Sequence, residues 1–269
     1  ARQLAENGDI YINDAFGSSH RAHASIEAIT KHLPSGAGFL LSKEIEYFEK
    51  AVSHPERPYI TILGGAKVTD KIKLIGSLMD KADTILIGGA MAYTFYRVMG
   101  IKIGNSKFEE KGLPFAEEIL KKAKAKNIDI QFPMDRVISQ EFKENALSKV
   151  VEGDIPDGWM GMDIGPKTIA AYKDILTQAK LIVWNGPMGV FEMKPFDRGT
   201  RGIMEHVASL TGKATTIIGG GDTAAAAVLF GLENKMSHVS TGGGASLEYL
   251  EGTPLPGVVA LQDKEVAHA

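Results

Sequence analysis

The chain has 269 residues, with 44% hydrophobic and 23% charged side chains, a net charge of −3 and a pI near 6.2. This length predicts one large or two modest domains, and the acidic balance argues against a nucleic-acid partner. The absence of cysteine excludes disulfides, thiolate catalysis and cysteine-ligated zinc. No apolar run approaches about 18 residues and no signal pattern opens the chain, so we expect a soluble, cytoplasmic protein without a membrane partner.

The first 52 residues predict a helix end, a strand, a polar loop and a helix. The opening ARQLAENGD is typical of a last helical turn that ends at Gly8, which suggests a fragment or a processed product. Asp9–Asn13 predicts a strand, and the loop after it holds His20, Arg21 and His23. These residue types alone favour a solvated polar loop. Ser42–Val52 is an amphipathic pattern that predicts a helix, ended by HPERP.

After Pro58 strands and helices alternate regularly. The predicted strands are 59–63, 84–87, 128–132 continued near 136–138, 181–184, 215–218 and 238–240, and the predicted helices are 69–79, 91–99, 114–126, 167–180, 198–210, 222–227 and 245–250. Residues 141–165 predict an irregular excursion with a β-ribbon. Strands that are apolar throughout predict a parallel sheet covered on both faces, so the expected fold is α/β, a doubly wound, Rossmann-like three-layer sandwich.

Five glycine-rich turns fall where the parallel strands end. They are GGAK (64–67), GGA (88–90), NGPMG (185–189), GGGD (219–222) and TGGG (241–244). Ligands of such sheets bind outside the carboxyl ends of the strands, so the five turns together predict a large glycine-lined crevice at that edge.

The stretch TTIIGGGDTAAAA, Thr215–Ala227, is the strongest single signal. A buried strand, a glycine turn and a helix N-terminus form an anion site, because the first helical amides lack intrahelical partners. Asp222 on that turn suits a phosphate that arrives with Mg²⁺, which prefers oxygen ligands. The alternative is that Asp222 or Thr223 is only a helix N-cap, and this stretch alone leaves both interpretations open.

Known nucleotide motifs narrow the choice of ligand. GGGDTA matches the dinucleotide pattern G-x-G-x-x-G/A, which keeps an NAD-dependent dehydrogenase as the alternative function. That pattern needs an acidic residue about 20 residues on, and the region SHVSTGGG has none. The P-loop, protein-kinase, H-E-x-x-H and G-x-S-x-G signatures are also absent.

Polyphosphate chemistry is the remaining prediction. Lys67 and Lys71 are four residues apart, so both are expected to face the crevice from the start of one helix and to stabilise a transferring phosphoryl group. Glu192 is a candidate for binding ribose hydroxyls. In isolation, an exposed charged face is the favoured interpretation of the two lysines, and Glu192 is equally typical of a surface carboxylate.

The motifs GGAKVTDK, IPDGWMGMDIGP, VWNGPMGVFE, IIGGGDT and SHVSTGGGASLEYLEG, in this order, resemble the phosphoglycerate kinase family. The resemblance runs from about Gly8 to about Leu261. It implies reversible phosphoryl transfer between 1,3-bisphosphoglycerate and ADP, giving 3-phosphoglycerate and ATP in glycolysis, with Mg²⁺ and a monomeric protein. An acyl phosphate needs no general base, so catalysis would rest on positioning and charge neutralisation.

The resemblance also implies residue roles. Lys67, Lys71, Gly221 and Gly244 would be catalytic, Lys67 reaching the transferred group and Gly244, with Gly243, facing it from a helix N-terminus. Asp222 would bind the metal and Arg21 the glycerate substrate. The nucleotide-binding residues would be Gly65, Ala66, Lys71, Gly89, Met162, Asn185, Glu192, Gly220, Gly221, Asp222 and Thr223.

One large departure from the family limits what the chain should do. Family members have two similar-sized domains, and the N-terminal one supplies most of the basic patch that holds 3-phosphoglycerate. We therefore expect residues 1–40 to be a remnant of that domain with the hinge, and residues 41–269 to be the nucleotide-binding domain. Nucleotide binding with little activity alone is expected. Ile10, Ile12 and Phe16 are expected to lack partners, with mobility or association before about Leu41.

Overall fold

A computed structural model of the chain describes residues 1–240 and 242–261, so Thr241 of the TGGG turn lies outside the described residues. The strands are β1 (Tyr11–Asn13), β2 (Ser35–Ala37), β3 (Tyr59–Leu63), β4 (Thr84–Ile87), β5 (Asp129–Gln131), β6 (Asp135–Ser139), β7 (Ser148–Glu152), β8 (Met160–Ile164), β9 (Leu181–Asn185), β10 (Thr215–Gly219) and β11 (His238–Val239). The helices are α1 (Arg2–Ala5), α2 (Phe39–Val52), α3 (Ile72–Leu78), α4 (Met91–Val98), α5 (Leu113–Lys126), α6 (Pro166–Leu176), α7 (Arg198–Leu210), α8 (Gly221–Leu229), α9 (Gly244–Leu250) and α10 (Pro256–Val259).

The main sheet has six strands in the order β11-β10-β9-β3-β4-β5, and every neighbouring pair is parallel. Side chains alternate between its faces. Tyr59 and Leu63 of β3 pack with α2, α3, α4, α5 and α9, whereas Ile60 and Ile62 pack with α6, α7 and α8. Since both faces are covered by helices, the strands are apolar on both sides. The predicted doubly wound α/β fold is confirmed.

The order of the strands fixes where a ligand can bind. From β3 the chain adds β4 and β5 on one side, and it then returns to add β9, β10 and β11 on the other. The loops that follow β3 and β9 therefore run in opposite directions away from a shared gap. In open parallel sheets this switch point, at the carboxyl ends of the strands, is the usual ligand crevice.

The expected continuation of one strand from Ile128–Phe132 to Arg136–Ile138 is wrong. β5 is an edge strand of the main sheet, and β6 lies at the centre of a separate antiparallel sheet with the order β7-β6-β8. Pro133 stands between them and cannot donate to a ladder, and its carbonyl accepts a hydrogen bond from the Tyr96 hydroxyl at 2.7 Å. The expected ribbon in the excursion is present as β7 and β8.

Most other helix and strand boundaries lie within four residues of the prediction. The helix expected over Thr69–Met79 differs in the type of its first turn. Thr69–Lys71 forms a 3₁₀ turn, and only Ile72–Leu78 is α-helical. The helix expected to run to Lys180 ends at Leu176. Among the described residues, no helix combines the length and the apolar character needed to cross a bilayer.

The N-terminal segment is docked more firmly than its sequence indicates. Phe16 was expected to lack a partner, and this is wrong: it is fully buried and stacks on Phe48 of α2, with ring centroids 5.8 Å apart. Asn13 donates to the carbonyl oxygen of Gly257 at 2.9 Å, which joins the segment to the far end of the chain. Ile10 and Ile12 are 66% and 56% exposed, as expected of residues without partners.

The buried Phe16 ring yields a stability prediction. Phe16→Ala removes a ring from the core, and we expect it to lower the free energy of unfolding by about 3–5 kcal/mol. Ile12→Ala is the matched control, because this exposed side chain loses little burial and should change stability by less than about 0.5 kcal/mol. Urea titration of both variants checks the prediction, and equal midpoints for the two would contradict the docking described here.

Candidate functional site

The glycine turns after β3, β4 and β9 are joined backbone to backbone. Gly64 donates to the carbonyl of Asn185, and Gly65 donates to that of Pro187, each at 2.9 Å. Gly89 donates to the carbonyl of Met188 at 2.9 Å. A Cβ on Gly64 would overlap the carbonyl oxygen of Pro187, so only glycine permits this approach. These glycines therefore shape the crevice by letting its loops meet.

A polar compartment of about 260 Å³ lies over the ends of β3, β9 and β10. It brings together most of the predicted catalytic and phosphate-binding residues from four separate parts of the chain. The lining consists of Gly65, Ala66, Lys67, Asp70, Lys71, Asn185, Gly186, Gly220, Gly221, Asp222, Thr223, Gly243 and Leu247.

The N-terminus of α8 opens into this compartment. Gly220 is the N-cap residue, with φ +87°, and no side chain caps the helix. The N-cap alternative for Asp222 and Thr223 is therefore wrong: a residue with positive φ is needed at the cap, and glycine adopts it without strain. The first amides of α8 have no intrahelical partner and are available to an anion.

Asn185 carries an unsatisfied donor at the same place. Its Nδ2 atom is buried and has no hydrogen-bond partner. A Cβ on Gly220 would lie 2.7 Å from this nitrogen, so the amide faces the glycine turn. A buried donor without a partner costs free energy, which a phosphate oxygen bound on the turn would recover.

Lys67 and Lys71 both line the compartment, but they do not lie on one helix as expected. Lys67 precedes the 3₁₀ turn in the loop after β3, and Lys71 ends that turn. Burial lowers the pKa of Lys71, and the nearby Asp70 and Asp222 carboxylates oppose that shift. Lys67 is exposed. One ammonium group therefore lies inside the compartment and the other at its mouth.

The Thr223 side chain supports the neighbouring loop. Thr223 is fully buried, and its hydroxyl accepts a hydrogen bond from the backbone amide of Gly186 at 2.7 Å. This bond fixes the NGPMG turn against the first turn of α8. The loop that follows β9 is thereby held at a constant distance from the glycine turn after β10.

An apolar compartment of about 340 Å³ adjoins the polar one and shares Gly65, Ala66 and Asp222 with it. The predicted residues Gly89, Met162 and Glu192 also line this compartment. Its walls include further residues that sequence reasoning missed: Ala90, Tyr93, Lys107, Phe142, Met160 and Asp163. Phe142 and Lys107 come from irregular segments without a recognisable motif, so only the fold reveals their position.

Asp163 is a buried residue of the apolar compartment whose carboxylate holds two backbone segments together. Its carboxylate accepts hydrogen bonds from the amides of Gly199, at 2.6 Å, and Ile164, at 2.9 Å. Burial raises the pKa of Asp163 well above its usual value, and nearby Asp197 adds to the shift while the two amides oppose it. The side chain thus ties β8 to the start of α7.

Two predicted residues lie outside both compartments. Arg21 is exposed and lines neither of them. Gly244 borders an adjoining cavity of about 550 Å³, and a Cβ there would lie 3.1 Å from Nε2 of His20. Asp70 lines this cavity and the polar compartment, so Gly244 lies beside the predicted phosphate site.

The carboxylate of Asp222 suits a metal ion that arrives together with a phosphate ligand. Among residues 1–240 and 242–261, no group of three or more His, Asp or Glu side chains could hold a metal ion. Asp222 can supply one carboxylate oxygen at the point where the two compartments meet. Mg²⁺ is commonly bound in this way, by one or two carboxylates together with phosphate oxygens and water.

Comparison with known proteins gives a consistent result. The family model described as phosphoglycerate kinase matches residues 1–253. The phosphoglycerate kinase of Thermosipho africanus is 52% identical over 98% of this chain and 67% of its own length. The cytosolic phosphoglycerate kinase of Nicotiana tabacum is also 52% identical, over 98% of this chain and 66% of the relative.

The fold agrees with these sequence matches. The structure of phosphoglycerate kinase from Coxiella burnetii superimposes with a TM-score of 0.91 at 41% identity, over 96% of this chain and 67% of that one. The chain therefore spans about two thirds of the length of the proteins that it resembles.

The buried Asp163 carboxyl yields a pH-dependent prediction. Its folded pKa is raised above the unfolded value, so its contribution to stability is full below the unfolded pKa, falls as pH rises through the interval between the two pKa values, and is lost above the folded pKa. Asp163→Asn stays neutral, and we expect the variant to gain stability relative to the unmodified chain by at most about 1.4 kcal/mol per pH unit over that interval.

Denaturant titrations across a pH series measure this difference. Asp157→Asn is the matched control, because Asp157 is an exposed carboxylate on the preceding loop and its replacement should give a nearly flat difference. A flat difference for Asp163→Asn as well would show that the pKa of the Asp163 carboxyl is the same in the folded and unfolded chains.

Proposed function

The chain belongs to the phosphoglycerate kinase family, and on that premise we propose that it is the nucleotide-binding part of an enzyme of glycolysis. The reaction is reversible phosphoryl transfer between 1,3-bisphosphoglycerate and ADP, which gives 3-phosphoglycerate and ATP. The observation that carries the proposal is the pair of joined compartments at the switch point, with Asp222 where they meet.

The proposed nucleotide spans both compartments. The base occupies the apolar one, against Gly65, Ala66, Gly89 and Met162, and Glu192 binds the ribose hydroxyls. The phosphates occupy the polar one. There they take hydrogen bonds from the Asn185 amide, the backbone of Gly220 and Gly221, and Lys71, beside Thr223. The dimensions support this placement, since ligand sites of 300–1,000 Å³ are usual.

Charge neutralisation is the proposed catalytic principle. When bound, Mg²⁺ would hold phosphate oxygens beside Asp222 and neutralise part of their charge. Lys71 is held inside the compartment, and Lys67 at its mouth is free to follow the transferred group. The amides of Gly221 and the turn before Gly244 add partial positive charge from helix N-termini. No proton transfer is required of the protein.

The glycerate substrate needs more protein than the site described above provides. Arg21 is exposed and lies outside both compartments, and its proposed role is to bind the anionic glycerate substrate. We propose that the remaining third of a family member supplies the other basic residues. Residues 1–40 would be the remnant of that domain with the hinge, and residues 41–269 the nucleotide-binding domain.

Three further properties follow as proposals. The chain works as a monomer, in the cytoplasm, in line with the cytosolic tobacco relative. An NAD-dependent dehydrogenase is not favoured, because the family match is to a kinase and no carboxylate follows β11 at residues 240 and 242–244. Nucleic acid and membranes are not proposed as partners.

Calorimetric titration with Mg-ADP tests the nucleotide site directly. We expect one saturable site per chain, because the compartments are formed by the residues described here. NAD is the control ligand and should give no heat of binding, because no carboxylate is placed for its second ribose. Saturable binding of NAD without binding of Mg-ADP would contradict the proposed nucleotide site.

Asp222→Ala tests the metal role. We expect at least about ten-fold weaker binding of Mg-ADP, equivalent to about 1.4 kcal/mol, and unchanged binding of ADP in the presence of a chelator. Asp70→Ala is the matched control, since Asp70 is an exposed carboxylate of the same compartment. If both variants lost affinity equally with and without Mg²⁺, the two carboxylates would act only through their charge.

Turnover of 3-phosphoglycerate with ATP tests whether the chain binds nucleotide but lacks most of the glycerate site. We expect the purified chain to have a small fraction of the rate of a full-length relative, because it presents only Arg21 of the expected substrate-binding residues. A rate equal to that of the relative would show that residues 1–269 hold a complete glycerate site.

A further inference from the structure

The chain contains two Asn–Gly pairs, Asn7–Gly8 and Asn185–Gly186. Asparagine is a chemically labile residue, and a following glycine leaves its own backbone nitrogen open to the asparagine side chain, because glycine has no Cβ. The same reaction is therefore available in principle to both pairs. The structure places them in opposite surroundings, which decides where the reaction can occur.

The pair at the nucleotide crevice is fixed by its surroundings. Asn185 ends β9 and is 2% exposed, and the Gly186 amide donates to the Thr223 hydroxyl at 2.7 Å. Gly186 has φ +96°, and a Cβ there would overlap the carbonyl oxygen of Gly64. The backbone therefore requires glycine at this position, and the nitrogen of Gly186 is already engaged by a buried partner.

The backbone does not require glycine at residue 8. Gly8 is exposed and has no positive φ, and a Cβ there would meet the carbonyl oxygen of Ile10 at an ordinary contact distance of 3.8 Å. The Gly8 amide makes a long hydrogen bond, of 3.4 Å, to the carbonyl of Ala5. The nitrogen of Gly8 is therefore accessible, and only a weak bond must break before it can act as a nucleophile.

Asn7 is held by a helix that has little to stabilise it. Helix α1 has four residues, and none of them is buried. The side-chain amide of Asn7 donates to the carbonyls of Gln3 and Leu4, both at 3.1 Å, and so caps the end of the helix. Helices of this length are marginal, because nucleation costs more than a single turn returns. Local opening of α1 therefore costs little, and it frees the Asn7 side chain and the Gly8 nitrogen together.

We propose that Asn7–Gly8 is a site of non-enzymatic deamidation in the folded chain, with water as the co-reactant. The Gly8 nitrogen forms a bond to Cγ of Asn7, the Cγ–Nδ2 bond breaks, and Nδ2 leaves as ammonia with the proton from Gly8. Water then opens the resulting cyclic imide at one of its two C–N bonds. The product at residue 7 is aspartate, or isoaspartate in which the main chain runs through the side-chain carbon.

Deamidation replaces the cap of α1 with a repulsive group. A carboxylate has acceptors and no donor, so it cannot form the bonds to the carbonyls of Gln3 and Leu4. Its negative charge also lies at the negative end of the helix dipole. Helix α1 contacts the 3₁₀ turn Ala28–Lys31. Loss of the helix end therefore loosens the contact between these two segments.

Peptide mapping by mass spectrometry during incubation near neutral pH tests the proposal, with a synthetic peptide of residues 4–11 as the unstructured reference. We expect Asn7 in the chain to react at no less than about one tenth of the peptide rate, because opening α1 costs under about 1.4 kcal/mol. Asn185 should react at least about ten-fold more slowly than Asn7, since its surroundings must open first. A slower reaction at Asn7 than this limit, or an equal rate at Asn185, would overturn the proposal.

Gly8→Ala tests the attacking atom, because the structure leaves room for the added Cβ. The methyl group hinders the approach of the Gly8 nitrogen, so we expect the reaction at Asn7 to slow several-fold. Gly76→Ala is the matched control, since a Cβ on Gly76 of α3 meets nothing within 4 Å, and it should leave the rate at Asn7 unchanged. An unchanged rate in Gly8→Ala would overturn the proposed attack.

Asn7→Asp isolates the effect of the new charge on α1. We expect the amides of residues 5–8 to exchange with solvent faster in this variant than in the unmodified chain, because the cap is lost. Asn234→Asp is the control, because it adds the same charge at an exposed residue of another turn and should leave this exchange unchanged. Equal exchange in Asn7→Asp and the unmodified chain would overturn the inferred loss of the helix cap.

Discussion

The structure depends on one constraint, the direct contact between the backbones of the loops that follow β3 and β9. Gly64 and Gly65 donate to the carbonyls of Asn185 and Pro187, and a side chain at Gly64 would prevent the approach. Because these strands are neighbours at the switch point, their loops must diverge above the bonded pair. The divergence opens the apolar compartment on one side and the polar compartment on the other.

The same contact sets the electrostatics of the site. The Thr223 hydroxyl accepts from Gly186, so the start of α8 is tied to the bonded loops. This attachment places the free amides of α8, the Asp222 carboxylate and the unpartnered amide of Asn185 on one side of the cavity. Lys71 faces them, and burial lowers its pKa. Positive and negative groups are therefore arranged before any ligand arrives, which reduces the reorganisation that binding requires.

Much of the fold and of the polar compartment could be predicted from sequence, because short sequence segments indicate their strands, glycine turns and helix starts. An apolar run such as Tyr59–Leu63 identifies a buried strand, and a glycine turn before Asp222 identifies a helix start. Lys107, Phe142 and Asp163 were missed because their roles depend on contacts across long sequence separations. Phe142 belongs to an irregular excursion, and only the pairing of β6 with β8 brings that excursion over the apolar compartment.

The N-terminal segment also shows that contacts across long sequence separations could not be predicted from sequence. Ile10, Ile12 and Phe16 look alike in sequence, as apolar residues in the segment before α2. The structure separates them, since Phe16 stacks on Phe48 and meets Gly242 before α9, whereas Ile12 of β1 and Ile10 just before that strand are exposed. Asn13 and Ser19 bond to the Gly257 region as well. Residues 13–19 are therefore packed on the main α/β unit by contacts beside α9 and with Gly257, so a displacement of this segment would be transmitted to the helix that begins at Gly244.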